Sequence, residues 1–150
     1  MSETFYSTDV FRSYLCDMTN PSFSAIELAV HDLAASLAFY RRLGLDIPAE
    51  SDEAPHVEFE FPGGIRLLWD TIETIRSFAP DWSKPEGGHR VSLGFDCGGP
   101  KDVDKVFDEL TDAGYRGRHT PWDAPWGQRY ATIDDPDGNP VDLFAPLTTT

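Results

Sequence analysis

One pattern occurs twice along this chain, and that repetition constrains the fold more than any other feature. The first copy runs from Phe23 to about Asp70, where SAIELAVHDLAASLAFYRRLGL leads into HVEFEFPGGIRLLWD. The second runs from about His89 to Pro146, where HRVSLGFDCGGPKDVDKVFDELTDAGY leads into WGQRYATIDDPDGNPVDLFAP. Each copy reads as a strand, a helix and then further strands, with apolar residues at matching places. The concave surface between two such copies is where function is expected.

Within the first copy, Asp32 is the helix N-cap and Leu33, Leu37, Phe39, Tyr40 and Leu43 follow at helical spacing before Gly44 ends the run. The second helix opens with Pro100 in its first turn, repeats Val103, Val106, Phe107 and Leu110, and stops at Gly114. Strict alternation precedes each helix: Ile26, Leu28 and Val30 against Ala25, Glu27 and Ala29, and Val91, Leu93 and Phe95 against Arg90, Ser92 and Gly94. Later strands show the same two faces, with Val57, Phe59 and Phe61 opposed to His56, Glu58 and Glu60, Ile65 and Leu67 opposed to Arg66 and Leu68, and Val141 and Leu143 opposed to Asp142 and Phe144. PGG at Pro62 to Gly64 and DPDGNP at Asp135 to Pro140 mark hairpin turns. Residues 71–88 read as a connector, clearest in WSKPEGG, where no periodicity survives. Residues 1–22 stand outside the repeat as an arm whose Phe5, Tyr6, Phe11, Tyr14 and Leu15 call for docking on the domain or on a partner subunit. Residues 147–150 form a short tail.

With 150 residues the chain is expected to make one domain, spanning 23–146. A net charge of −14 disfavours nucleic acid and anionic membranes as partners. No apolar stretch is long enough for a membrane span, and the first residues lack a basic leader followed by an apolar run, so a cytoplasmic protein is expected. Cys16 and Cys97 are too isolated for a disulfide framework or zinc knuckle. His56, His89 and His119 are irregularly spaced, His31 suits a turn before the helix cap, and neither GxSxG nor a phosphate-cradling GxxxxGK[ST] occurs.

DLAASLAFYRRLGL, GGIRLLWD and WGQRYATIDDPDGNPVDLF together resemble the vicinal oxygen chelate superfamily, which includes glyoxalase I, extradiol dioxygenases, fosfomycin-modifying enzymes and bleomycin resistance proteins. The resemblance implies an α+β fold of two βαβββ modules forming curled mixed sheets around a cleft. It also implies four metal-ligand positions, which fall here on Ala25, Leu68, Ser92 and Asp142. Ala25 and Leu68 have no donor atom and Ser92 offers only a neutral hydroxyl, leaving Asp142 alone as an ordinary ligand. Neither a metal nor another cofactor, nor a catalytic residue, is therefore expected.

With the metal set aside, the outward strand residues become a ligand-binding surface: Glu27, Glu58, Arg66, Leu68, Arg90, Ser92 and Asp142, with Phe144 beside them. Glu27 either lies near Asp142, so that one carboxyl pKa rises, or pairs structurally with Arg66 or Arg90. Trp82, Trp122 and Trp126 fall in loops or at strand starts, where indoles either stack on a cationic ligand or seal the sheet ends; Trp69 belongs to the core. The resemblance extends to the drug-sequestering branch, in which dimers hold cationic aromatic antibiotics without a metal. It implies a homodimer binding a small organic, cationic aromatic molecule, with Trp122 and Trp126 stacking and Glu27, Glu58 and Asp142 meeting the charge. The alternative is an enzyme: a metal-dependent lyase, isomerase or dioxygenase with displaced ligands, or an acid–base catalyst using Glu27.

Overall fold

Alternation of apolar and polar residues produces two separate sheets. A computed structural model describes residues 20–148; Cys16 and nearly all of the N-terminal arm lie outside the described residues. The first sheet is ordered β1-β3-β2, from β1 (Ala25–Val30), β2 (His56–Glu60) and β3 (Arg66–Thr71), with β1 and β3 parallel and β2 antiparallel to β3. The second is ordered β4-β7-β6-β5, from β4 (Leu93–Asp96), β5 (Gly117–Ala124), β6 (Gln128–Asp134) and β7 (Pro140–Pro146). Here too the first strand of the module runs parallel to the last, so β1 corresponds to β4, β2 to β6 and β3 to β7.

Both expected helices form. Helix α1 (Leu33–Arg42) starts where the Asp32 carboxylate accepts the Ala35 N–H at 3.0 Å, satisfying one of the free donors of the first turn. Its face of Leu33, Leu37, Phe39 and Tyr40 is buried. Helix α3 (Pro100–Asp112) buries Val103, Phe107 and Leu110. Between them the connector holds α2 (Ile72–Phe78), too short for its periodicity to show in the sequence; Thr71 caps it by accepting the Thr74 N–H at 3.1 Å.

The first module is one strand shorter than the second. A 3-10 turn (Ala49–Glu53) stands where β5 has its counterpart. Arg41 tethers this segment to α1. Its guanidinium donates to the carbonyls of Ile47 at 2.8 Å and Pro48 at 2.7 Å and pairs with Asp52 at 2.8 Å, occupying backbone acceptors that a strand ladder needs. Strand β4 also begins later than the alternation suggests, at Leu93, and Val91 is 68 % exposed. Among the described residues its neighbour is β7, which starts at Pro140 with no N–H to offer, so residues 90–92 find no strand there to join.

The modules share one core. Val30, Leu67 and Trp69 from the first pack in the same cluster as Val103, Ile133, Val141 and Leu143 from the second. Across the seam, Phe39 meets Tyr115 edge-on with ring centroids 4.9 Å apart, and Phe61 approaches Phe95 at 6.5 Å. Such ring pairs contribute about 0.5–1.5 kcal/mol beyond their burial. The Tyr40 hydroxyl donates to Asp135 Oδ2 at 2.8 Å in a buried bond between α1 and the β6–β7 turn. Burial and the adjacent Asp135 carboxylate push the Tyr40 pKa far upward, so the phenol stays protonated and remains a donor.

Two substitutions test this packing. A Cβ at Gly117 would lie 2.5 Å from Phe107 Cζ, so Gly117→Ala is expected to destabilise by about 1–3 kcal/mol through overpacking. Tyr40→Phe leaves a buried acceptor with one fewer donor and is expected to cost about 1–3 kcal/mol. Urea-unfolding midpoints measure both.

Candidate functional site

Strand register brings the outward residues into rows. In the first sheet Glu27, Leu68 and Glu58 lie side by side, flanked by a row of Ala29, Asp70 and His56 and a row of Ala25, Arg66 and Glu60. In the second sheet Gly94, Asp142 and Thr132 form one row, and Asp96, Phe144, Tyr130 and Trp122 the next.

The first-sheet face is a chain of charged groups. His56 Nδ1 is 2.6 Å from Asp70 Oδ1 and its Nε2 is 3.1 Å from Glu58 Oε1. Arg66 Nη1 donates to both Glu58 oxygens at 3.1 Å, and its Nη2 donates to Ser24 Oγ at 3.2 Å. Glu27 shares this face with Asp70, one row away, and Asp70 is 6 % exposed. The residue opposite Asp70 on β1 is Ala29, so no side chain blocks this diagonal approach. Of the two cations expected to pair with Glu27, Arg66 is engaged by Glu58 and Arg90 is exposed ahead of β4.

These contacts order the titrations. The Asp70 hydrogen bond, partial burial and the Asp70 charge raise the Glu27 pKa, against an opposing pull from His56. Hydrogen bonds to Asp70 and then Glu58 raise that of His56, while Glu58 is lowered by its bond to His56 and by Arg66.

The second-sheet face is mainly aromatic. Trp122, Trp126 and Tyr130 meet edge-on in sequence, with centroids 5.5 Å and 5.4 Å apart, and His119 lies 6.2 Å from Trp122. Trp126 is 57 % exposed and Trp122 37 %, and the Trp126 Nε1–H donates to Gln128 at 2.9 Å. Trp122 lies on β5, a strand the sequence pattern did not reveal, and Trp126 in the β5–β6 turn. Phe144 overlies Gly94, where a Cβ would come within 3.3 Å of the ring. At the end of this panel Asp142 accepts the Ser92 hydroxyl on Oδ2 and the Thr132 hydroxyl on Oδ1, each at 2.8 Å. Burial and a hydrogen bond to Asp142 push the Tyr130 phenol up to about 12.

A cavity of about 910 Å³ opens between β1 and the connector, with Glu27, Trp82, Arg90 and Asp137 in its lining. Arg76 holds Trp82 in place, with its guanidinium carbon 5.9 Å from the ring centroid. Arg90 is exposed and precedes β4 instead of belonging to it. Sequence reasoning missed Asp70, His56, Thr132 and Tyr130 as site members. Asp70 and His56 continue the period-2 face of Leu68 and Glu58, which was the available signal.

The donor set at the four inherited metal positions does not fit a divalent ion. Ala25 and Leu68 supply no donor, Ser92 is a hydroxyl, and both Asp142 oxygens already accept hydroxyl hydrogen bonds. Among the described residues, no three His, Cys, Asp or Glu side chains are grouped to hold a metal ion.

The matching halves, the parallel first and last strands of each module and the DPDGN turn define a two-module fold that recurs among known proteins. The sequence model of the Glyoxalase/Bleomycin resistance protein/Dioxygenase superfamily matches residues 22–143, and the chain belongs to that superfamily. It is 29 % identical over 124 residues to the uncharacterized protein YraH of Bacillus subtilis (strain 168), covering 81 % of this chain and 96 % of YraH. A glyoxalase/bleomycin resistance protein/dioxygenase from Nocardioides superposes with a TM-score of 0.68 at 25 % identity, over 95 % of this chain and 94 % of that one. TioX from Micromonospora sp. ML1 shares the fold with a TM-score of 0.55 at 24 % identity, over 85 % of this chain and all of that one (100 %). No helix among the described residues is long and apolar enough to cross a membrane.

The His56 geometry has a signed consequence. Because its folded-state pKa is raised, the stabilisation from protonated His56 is fully present below the ordinary histidine range near ~6.5 and is lost as pH rises through the folded value. Asp70→Asn is expected to lower the His56 pKa and flatten this part of the stability profile. Imidazole NMR titration and urea midpoints across pH check both.

Proposed function

We propose that this protein binds a small planar organic cation on the aromatic face of its second sheet and does so without a divalent metal. The observation that carries the reading is the run Trp122–Trp126–Tyr130, two of whose rings are exposed, on the same sheet face as Asp142. Exposed indoles attract delocalised cations by stacking and through the negative face of the ring, contributing about 0.5–2 kcal/mol per contact. Asp142 supplies a fixed carboxylate for the ligand's charge, held in orientation by Ser92 and Thr132. Absence of metal donors at the inherited positions supports a binding protein over a Lewis-acid catalyst.

The charged residues expected to act together divide between two places. Asp142 belongs with the indoles; Glu58 is neutralised by Arg66 and His56; Glu27 points toward a different neighbourhood, with Asp70. Leu68 adds apolar surface between the two glutamates. Superfamily membership and similarity to TioX support the fold on which this reading rests. A homodimer is part of the proposal, as an arrangement that brings a second concave face to the ligand.

Proflavine is a suitable probe. Titration is expected to quench tryptophan fluorescence saturably, with the same affinity before and after dialysis against EDTA. Trp126→Ala and Asp142→Asn are each expected to weaken binding by about threefold to thirtyfold, the range that ~0.7–2 kcal/mol implies. Binding that disappears with EDTA and returns with a divalent ion would favour the metal-dependent enzyme instead.

A further inference from the structure

Residues 83–91 link the two modules as a strap that joins neither sheet. Every residue in it is exposed, and among the described residues none of its backbone N–H groups donates a hydrogen bond. The strap lines two adjoining cavities, one of about 910 Å³ against β1 and β4 and one of about 560 Å³ against the β6–β7 turn, and Lys84 to His89 belong to both linings. Neither lining includes Trp122, Trp126, Tyr130 or Asp142.

The larger cavity has an apolar wall that the protein leaves partly uncovered. Ile26, Ile72, Trp82 and Leu93 are half-buried on it, and Val91 is 68 % exposed. Its volume falls within the range of pockets that hold drug-sized organic molecules, and each Å² of apolar surface that a ligand covers contributes about 25 cal/mol.

Charge on the two linings runs against the rest of the chain. Four of the 12 Lys and Arg residues stand there, Lys84, Arg90, Arg116 and Arg118, against four of the 26 Asp and Glu residues, so the strongly acidic balance of the whole is locally cancelled. The carboxylates are mostly spent or turned aside. Asp134 accepts Arg118 at 2.6 Å and 3.1 Å; Asp137 gives Oδ1 to the His31 N–H at 3.0 Å while its Oδ2 is shut off from solvent; Glu27 stands on the opposite face of β1 from Ile26 and Leu28. Glu86 alone remains exposed on the strap. Lys84 and Arg90 form no ion pair among the described residues, so both cations, with the unpaired N–H groups of Gly87 and Gly88, are available to an oxyanion.

We propose that the larger cavity is a second binding site, which takes an organic carboxylate on an apolar body. The carboxylate is received by Lys84, Arg90 and the strap's N–H groups, and the body covers Val91 and Leu93 beside Trp82. The strap is ordered by the ligand it holds. This inference is independent of the aromatic-face reading, which concerns a cation on other residues.

The probe is 2-naphthoate at neutral pH, compared with its neutral counterpart 2-naphthamide by isothermal titration calorimetry. Naphthoate is expected to saturate and naphthamide is not. Lys84→Glu/Arg90→Glu should weaken naphthoate binding about tenfold or more, the factor that ~1.4 kcal/mol sets, with an unchanged urea midpoint, since both side chains are exposed and unpaired. Amide hydrogen exchange at Gly87, Gly88 and His89 should slow when naphthoate binds, and the Trp122→Ala/Trp126→Ala double variant should leave its affinity unchanged. The inference is overturned if naphthoate gives no saturable heat, if naphthamide binds equally well, if the charge-reversed variant keeps full affinity, if exchange in the strap is unaffected, or if the tryptophan double variant abolishes binding.

Discussion

The Asp135 carboxylate organises much of what the two modules do together. It accepts the Tyr40 hydroxyl from α1, and within its own turn it accepts the backbone N–H groups of Asp137 and Asn139 and the Asn139 side-chain amide, all at 2.8–3.0 Å. Asp135 is 4 % exposed, so these donors replace the water it loses. The turn is thereby closed on the first module's helix, and Asp137 is carried to the point where it accepts the His31 N–H from the residue just after β1. Relative placement of the two sheets, and the rim of the cavity at their seam, follow from this one buried anion.

The repeat has diverged along its outward faces while keeping its inward ones. Leu67 and Trp69 on β3 match Val141 and Leu143 on β7 as core, because either module must bury one face to fold at all. No such demand applies to the other face. In the first sheet it has become a run of ion pairs; in the second it has become rings packed edge-on beside one oriented carboxylate. Losing donor atoms at Ala25 and Leu68 removes a coordination site but leaves the scaffold's stability untouched, since both side chains still fit a pleated surface.

Much of this was legible in the residues. Period 2 separated Trp69 from Leu68, and helical spacing with Asp32 and Pro100 located both long helices, since burial imposes those patterns directly. Less visible were features decided by a single long-range contact. Arg41 ties the segment after α1 back to that helix by binding the carbonyls of Ile47 and Pro48, and no local propensity encodes that. The sequence puts Trp122 in a loop or at a strand start, yet pairing with Tyr130 puts it within β5. Glu27 lies exposed on β1, as its place in the alternation implies, while Asp70 and His56, which share its face, follow only from the register of β1 and β2 against β3.

The missing strand of the first module has a cost of another kind. In the second sheet β5 covers the flank of β6, whereas β2 stands as the outermost strand of its sheet, with part of its peptide hydrogen-bonding capacity turned outward. Exposed borders of this sort invite a stray chain to add itself as another strand. His56, Glu58 and Glu60, all exposed, place ionic groups along that border. Strand addition along β2 is thus opposed by charge rather than by a further strand.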